Sequence, residues 1–553
     1  MRRIKSVNFS VQTGQKYKLQ ASCCFPCFQI VGKMANVEAA KVQPEMLRKK
    51  QVAELFLSQK MMVSPKVLSQ LCLSEKAYED ALKLREYMIR HSMFMLDEKA
   101  IALWQESVSR ALKQVEPTGA IKQGEWASGV PRAATLEKDL MLSIENSDVT
   151  DHSRCKGKVK DFVDYFNDRF SRLSHQLRMI SSSHDTVKLR EAQNRQKKTF
   201  NVIGMVYSKK ITKNGHMLLE IEDEETMIPI LIPKDSPIMA QASGILEDEV
   251  LTFEAYMSNS LLIAKGFTTP GKLLQARNRQ FCNRPAKIVF LSDLHVGSRW
   301  FMQKSFERFL EFLNGKTIEQ EREIAEDIKY ISIAGDLVDG IGVYPNQERE
   351  LVTKDIFAQY EIFCGFLKAI PEHVEVIVAP GNHDAVRVAD PQPALPLEFV
   401  KFVDDAENIH FVGNPSTHKV EGLSLLVYHG TSMDGWISNN PNLRDGYENP
   451  QKVAMEMLNQ HHLCPRYGDD SLVPEPRDYM TLDSTPDIFH FGHVHKNGYA
   501  ENYNGTVIIN SGTFQAQTDF QVSLGHIPTP CKVPIYGMNT GKLEVLDFSK
   551  VDF

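Results

Sequence analysis

Acidic and imidazole side chains stand at the ends of five successive apolar runs. "KIVFLSD" ends in Asp293, with His295 two residues on. "YISIAGDLVDG" carries Asp336 and Asp339, and "VEVIVAPGNHD" carries Asn382, His383 and Asp384. "LSLLVYHG" ends at His429, and "DIFHFGHVH" ends at His493 and His495. Each piece alone has an ordinary explanation: D-x-H as a polar turn, GDLVDG as a tight turn with capping aspartates, GNHD as a hairpin turn, GHVH as a strand edge. Five in order, each behind an apolar run and beside a glycine, point instead to one assembled site. Carboxylate, amide oxygen and neutral imidazole suit borderline-hard divalent metals such as manganese, iron or zinc. The set contains no cysteine, which disfavours a structural zinc site. Two metals about 3.5–4 Å apart can activate water and clamp both oxygens of an in-line displacement at phosphorus. That is chemistry for cleaving a phosphoester. The neighbouring glycines let the backbone turn sharply and leave room for metals and a phosphate.

Elements must bring these ends together. From about residue 285 strands alternate with helical stretches such as "KSFERFLEFLNG" and "DIFAQYEIFCGFLKAI". The strands are continuous apolar runs, as expected where both faces are buried, so the pattern predicts a layered α/β domain whose ligands sit at the carboxyl ends of strands. Residues 198–268 change to short β-rich runs near period two, with a "KNGH" turn. About five short strands fit a small Greek-key barrel of the OB type. Its acidic "EIEDEE" makes it a weak nucleic-acid binder in isolation. Residues 43–113 show helical spacing and read as an interaction module, with Ser64 before Pro65 opening one helix. Residues 114–197 read as a partly disordered linker followed by an amphipathic helix over "VKDFVDYFNDRFSRLSHQLRM", whose aromatic stripe is expected to dock on the next domain.

The totals are those of a multidomain globular chain of 553 residues, 42% hydrophobic and 24% charged, with a net charge of -6. That charge neither requires nor excludes a nucleic-acid partner. No long uncharged apolar run predicts a membrane span. Nine scattered cysteines argue against a disulfide framework and for a reducing compartment. Residues 1–42 read as a disordered leader, or as an extension upstream of a start at Met34. Cys23, Cys24 and Cys27 resemble half a zinc site without its second half.

At the five strand ends the chain resembles the calcineurin-like metallophosphoesterase superfamily, whose motifs are D-x-H, GD-x-x-D-G, GNH-D/E, H and GH-x-H. "LSDLHVGS", "PGNHDAVR", "DPQPALP", "VYHGTSMD", "GHVHKNGY" and "NSGTFQAQTDFQ" are similar to the small subunits of archaeal D-family DNA polymerases. These motifs lie within residues 285–520; over residues 1–197 the resemblance is architectural only. It implies a metallophosphoesterase domain at 285–553, a layered β-sandwich flanked by helices, preceded by the OB-fold barrel and the helical module. It implies that Asp293, His295 and His495 hold one metal, that Asn382, His429 and His493 hold the other, and that Asp336 bridges them. His383 would touch the phosphate and help the leaving oxygen depart. Asp339 and Asp384 would orient ligands, and Arg387 would hold either a phosphate or its own loop. Two divalent metals are implied, manganese foremost, with iron, zinc or magnesium as alternatives. The implied activity is metal-dependent 3′–5′ exonucleolytic proofreading. The implied partners are the large catalytic polymerase subunit, for which this chain would also be a scaffold, DNA with a 3′ end and the sliding clamp, with no membrane. The implied location is the archaeal cytoplasm, at the nucleoid. Two rivals stand beside this: a non-catalytic accessory scaffold, and a phosphatase or cyclic-nucleotide phosphodiesterase of the same superfamily. Every ligand position is occupied, which speaks against the first. GNHD and GDLVDG, where protein phosphatases have GNHE and GD-x-VDRG, speak against the second.

Overall fold

In the computed structural model, residues 141–549 are described, apart from 146, 181–184, 196–198, 259–260 and 272–276, together with scattered positions between 56 and 96. The expected leader at 1–42, its cysteines, most of the helical module and residues 114–140 lie outside the described residues. The chain divides into two compact units, Met1–Trp126 and Ala127–Phe553. In the first, Ala81, Leu84 and Met88 are helical and buried at three- and four-residue spacing, as the periodicity predicts. Met62–Val63 pairs in parallel with Met95–Leu96, a strand pair that the helical pattern hides.

The second unit holds a five-strand ring and a mixed α/β body. In the ring, Phe200–Ile211 pairs antiparallel with Met217–Glu222 and with Val250–Ser258. Met227–Ile232 joins Met217–Glu222 on one side and Leu261–Thr268 on the other, and Leu261–Thr268 returns to Val250–Ser258. The sheet thus closes on itself and leaves few free edges. Burial alternates along Met217–Glu222, so Met217, Leu219 and Ile221 fill the interior beside Ile230, Ile232 and Phe253.

Five strands of the α/β body lead to the site: β1 (Lys287–Leu291), β2 (Ile328–Ala334), β3 (Glu375–Ala379), β4 (Leu423–Val427) and β5 (Ile488–Phe491). β1, β2 and β3 are parallel neighbours in one six-stranded sheet. β4 and β5 are parallel neighbours in another. Because successive side chains face opposite ways, each strand is apolar on both faces over most of its length. Ile288, Phe290, Tyr330 and Ile377 meet Leu425, Val427 and Ile488 in a core shared by both sheets. The alternate residues Val289, Leu291, Ile331, Ile333 and Val376 pack outward on Phe306, Phe309, Phe363 and Leu367 of two helices. Leu426, Phe489 and Phe491 do the same on Val453, Met457 and Trp436. Helices therefore cover both outer faces, and the carboxyl ends of β1–β5 open on one side.

Helix α1 (Val159–Ile180) docks its aromatic stripe within this same unit: Tyr165, Phe166, Phe170 and Leu177 cluster with Ile203, Met205 and Val250 of the ring. Arg169, fully buried, reaches Asp478 at 2.7 Å and Tyr165 Oη at 2.7 Å. The stripe is consumed as core, as the docking expectation requires. The linker expectation fails from residue 141 onward. Leu142–Ser143 adds an edge strand against Lys419 and Val420. Asp148 accepts from Gly413 N at 2.7 Å, and Glu475 accepts from the backbone N–H groups of Arg154 and Cys155. Among the described residues no helix is long and apolar enough to cross a membrane.

Candidate metal centre

All seven expected ligands converge at the strand ends. After β1, Asp293 and His295 are buried. His295 Nε2 lies 3.0 Å from His495 Nε2, and His495 Nε2 lies 3.4 Å from Asp293 Oδ1. After β3, β4 and β5 a second set forms. Asn382 Oδ1 is 2.9 Å from His429 Nε2 and 3.1 Å from His493 Nδ1, and those two nitrogens are 3.3 Å apart. Asp336, after β2, stands between the sets, with Oδ2 3.6 Å from His295 Nε2 and 3.5 Å from His429 Nε2. Three groups bring ligand atoms within 4.8 Å of one another: Asp293, His295 and His495; Asp293, Asp336 and His429; and His295, Asp339 and His383.

The backbone is bent to achieve this. Asp293, His295, Asp336, His493 and His495 have φ of 53°, 52°, 51°, 73° and 56°. Non-glycine residues in that region cost on the order of 1–3 kcal/mol each and cluster at functional sites. Two glycines give the side chains their space. A Cβ on Gly381 would collide with the Asp336 carboxylate, and one on Gly492 with Asp293 Oδ2.

Groups one layer out hold the ligands in place. His295 Nδ1 meets Asp339 Oδ1 at 3.1 Å, His429 Nδ1 meets the Ala334 carbonyl at 2.8 Å, and His493 Nε2 meets Asp434 Oδ2 at 3.3 Å. Asp384 accepts from Gly381 N at 2.8 Å, Leu337 N at 3.2 Å and Tyr360 Oη at 3.0 Å, tying the β2 and β3 loops together. Burial pushes its carboxyl up to about 7. Arg387 holds its own loop: Nε donates to Pro391 O at 2.6 Å and Nη1 to Glu475 at 3.0 Å. Its Nη2 has no hydrogen-bond partner among the described residues. His383 is not among the ligand contacts of either set. Its Nδ1 lies 2.8 Å from Asp339 O, and its Nε2 faces Asp336 Oδ2 at 4.0 Å on the more open side.

The electrostatics fit cations. Burial works to lower His295, yet the hydrogen bond to Asp339 and the charges of Asp336, Asp339 and Asp293 outweigh it and hold it up at about 9. His429 is held up at about 10, burial again being outweighed by Asp336 and Asp293. Burial pushes Asp336 upward, but His429, His383 and His295 bring it well below the usual carboxylate range. Buried carboxylates that bind protons onto imidazoles this firmly demand positive charge. A pair of imidazole nitrogens 3.0 Å apart beside a carboxylate is a donor set for a borderline metal.

Asp434 and Gln521 carry no signal in the spacing. Asp434 follows His429 by five residues in "HGTSMD". Gln521, whose amide lies 2.9 Å from His495 Nδ1, comes from a separate short helix 26 residues downstream.

A site of this kind on paired sheets coincides with a known family: the DNA polymerase alpha/epsilon B subunits, whose family pattern matches residues 288–498 and so includes all seven converging residues. Relatives narrow the family. The DNA polymerase II small subunit of Methanocaldococcus jannaschii is 41% identical over 421 residues, 74% of this chain and 69% of that protein. That of Methanothermobacter thermautotrophicus is 34% identical over 76% of this chain and 85% of its own length. That of Archaeoglobus fulgidus is 35% identical over 88% of this chain and 95% of its own length. The chain belongs to the DNA polymerase II small subunits, those of the archaeal D-family polymerases.

Proposed function

We propose that the chain is a two-metal 3′–5′ exodeoxyribonuclease that proofreads for a large polymerase subunit and serves as its scaffold. The observation that carries this is the convergence of two ligand sets on one shared carboxylate, Asp336. In this reading residues 285–553 are a calcineurin-like phosphodiesterase domain and residues 198–268 an OB-fold. The metals are two divalent cations, manganese foremost. When bound they would supply an activated water and neutralise charge developing at phosphorus.

The chain's own groups do the rest. Asp339, Ala334 O and Asp434 fix the ring orientation of three histidines. Gly381 and Gly492 keep the ligand carboxylates unobstructed. His383 Nδ1–H donates to the Asp339 carbonyl, so its Nε2 is free to take a proton from solvent and deliver it to the leaving 3′ oxygen. Burial lowers the basicity of His383, which favours giving the proton up.

The test uses the full chain with its large subunit and a primer bearing a mismatched 3′ end, in manganese. Stepwise release of nucleotides that disappears in Asp336→Asn supports the reading. No release, with the chain alone or in the complex, leaves the scaffold. Hydrolysis of small phosphoesters without DNA degradation points to the phosphatase class.

A further inference from the structure

We infer that Tyr344 is a specificity residue for the DNA end: its ring stacks on the base of the second nucleotide from the 3′ end, the one that keeps the 3′ oxygen after cleavage. This deepens the exonuclease reading above and rests on it. Residues 340–350 follow Asp339 and pass directly over His383. A Cβ on Gly340, at φ 76°, would collide with the His383 carbonyl. Gln347 pins this loop from beneath. It is buried, its amide donates to Asp339 O at 2.7 Å and to Asp339 Oδ2 at 3.0 Å, and its Oε1 accepts from Val343 N at 2.9 Å. Tyr344 Oη donates to Glu350 Oε2 at 3.1 Å, and Glu350 O accepts from Arg299 N at 2.8 Å. The ring is thus held at its backbone end and at its phenol end, with its centroid 6.2 Å from that of His383.

The same loop leaves apolar surface in water. Tyr344 is only partly buried, and Ile341 and Val343 beside it are 48% and 37% exposed. An ordered ring with apolar flanks offers a flat base a dry face. Every base has a face to stack, so the contact suits a nuclease that must take any sequence. Which nucleotide it takes follows from His383. That imidazole serves the leaving 3′ oxygen, which belongs to the second nucleotide and not to the one released. The ring beside it meets the base on that side of the scissile phosphate. A base turned onto a protein ring leaves the duplex stack, and the cost of that is least at a mismatch. Tyr344 therefore favours ends whose last two nucleotides come free of the template.

The test is a double-mutant cycle between protein and substrate, with the full chain and its large subunit in manganese on single-stranded DNA. One DNA is intact, one lacks the base of its second nucleotide, and one lacks the base of its last. Removing the second base should cost the wild type about 5–150-fold in kcat/KM for the first release. Tyr344→Ala should lose as much on intact DNA, and no more than about threefold further when the second base is also gone. On DNA lacking only the last base it should still show its full loss, which a merely structural role would show on all three. Tyr344→Phe keeps the ring and should restore most of the rate. Tyr344→Leu takes the place of the alanine variant if that one does not fold. Losses that multiply at the second base, coupling to the last base in its place, or an unaltered rate in Tyr344→Ala would overturn the inference. A wild-type complex that releases no nucleotide would instead overturn the exonuclease reading itself.

Discussion

Asp336→Asn should cost both metals at once. The carboxylate is buried, and its Oδ2 lies within 3.6 Å of an imidazole from each ligand set. The amide keeps the volume and removes the charge. At a hundredfold excess over its dissociation constant each bound ion stabilises the folded state by about 2.7 kcal/mol. The unit Ala127–Phe553 has about 430 residues, and at roughly 2.1 cal/mol/K per residue its unfolding entropy is about 0.9 kcal/mol/K. Each ion should therefore raise Tm by about 3 °C and the pair by about 6 °C, by this arithmetic. His493→Ala, which removes one ligand from the Asn382–His429 set, should keep about half of that shift. Asp336→Asn should keep less than about 1 °C. Scanning calorimetry with and without manganese reads all three. A shift near 3 °C in Asp336→Asn would refute the shared-carboxylate reasoning, because one site would then be loading without it.

Four further outcomes follow from the structure. Gly381→Ala should abolish the manganese-induced Tm shift and also lower the Tm of the metal-free protein, since the added Cβ meets both the carboxylate and the backbone N of Asp336; equilibrium dialysis checks the metal content. Asp478→Asn should destabilise the second unit by on the order of 3–5 kcal/mol in urea unfolding, because it leaves Arg169 buried without its counter-charge; the double change Arg169→Met with Asp478→Leu should recover most of it. Burial pushes Asp390 up to about 7, above its unfolded value near 4. Its contribution is complete below about pH 4 and is lost as pH rises through 7, so Asp390→Asn should gain on the wild type by up to about 3 kcal/mol between pH 5 and pH 8 in paired urea titrations. Nuclease rate should fall steadily as pH drops from about 8 to about 5, as the imidazole ligands must be neutral to bind metal and His295 and His429 are held up at about 9 and about 10 in the metal-free site; a flat rate over that range would argue against histidine ligation.

The strand ends were legible because parallel strands buried on both faces are written as unbroken apolar runs, and the residue after each run is placed by the sheet. His295 and His495 could be brought to one site across 200 residues on that ground, while their place in one ligand set came from the family resemblance. Contacts made by side chains on irregular backbone were not. Nothing periodic marks Asp148 reaching Gly413 or Glu475 reaching Arg154 and Cys155, so a folded stretch reads like a linker. The pair Arg169–Asp478 spans 309 positions, and its arginine looks like one more charge on an amphipathic helix. Asp434 and Gln521 escape notice for the same reason: each acts through another residue's ring nitrogen, which spacing does not encode.

Spacing also leaves the division of ligands open, and the backbone angles show why. Asp293-x-His295 and His493-x-His495 have the same spacing, and in both pairs the two residues sit at positive φ. In a regular strand residues i and i+2 share a face, which would send each pair to one metal. Asp293 and His295 do stay together, both beside His495. His493 and His495 part: the first turns to Asn382 and His429, the second to Asp293 and His295. Their outer partners pull in different directions, Asp434 on the ring of His493 and Gln521 on that of His495. What separates the two sets is therefore built from left-handed turns and from residues outside the motifs. A change at Asp434 should weaken the Asn382–His429 set alone, and a change at Gln521 should alter the loading of the other set alone, although the two histidines they hold are only two residues apart.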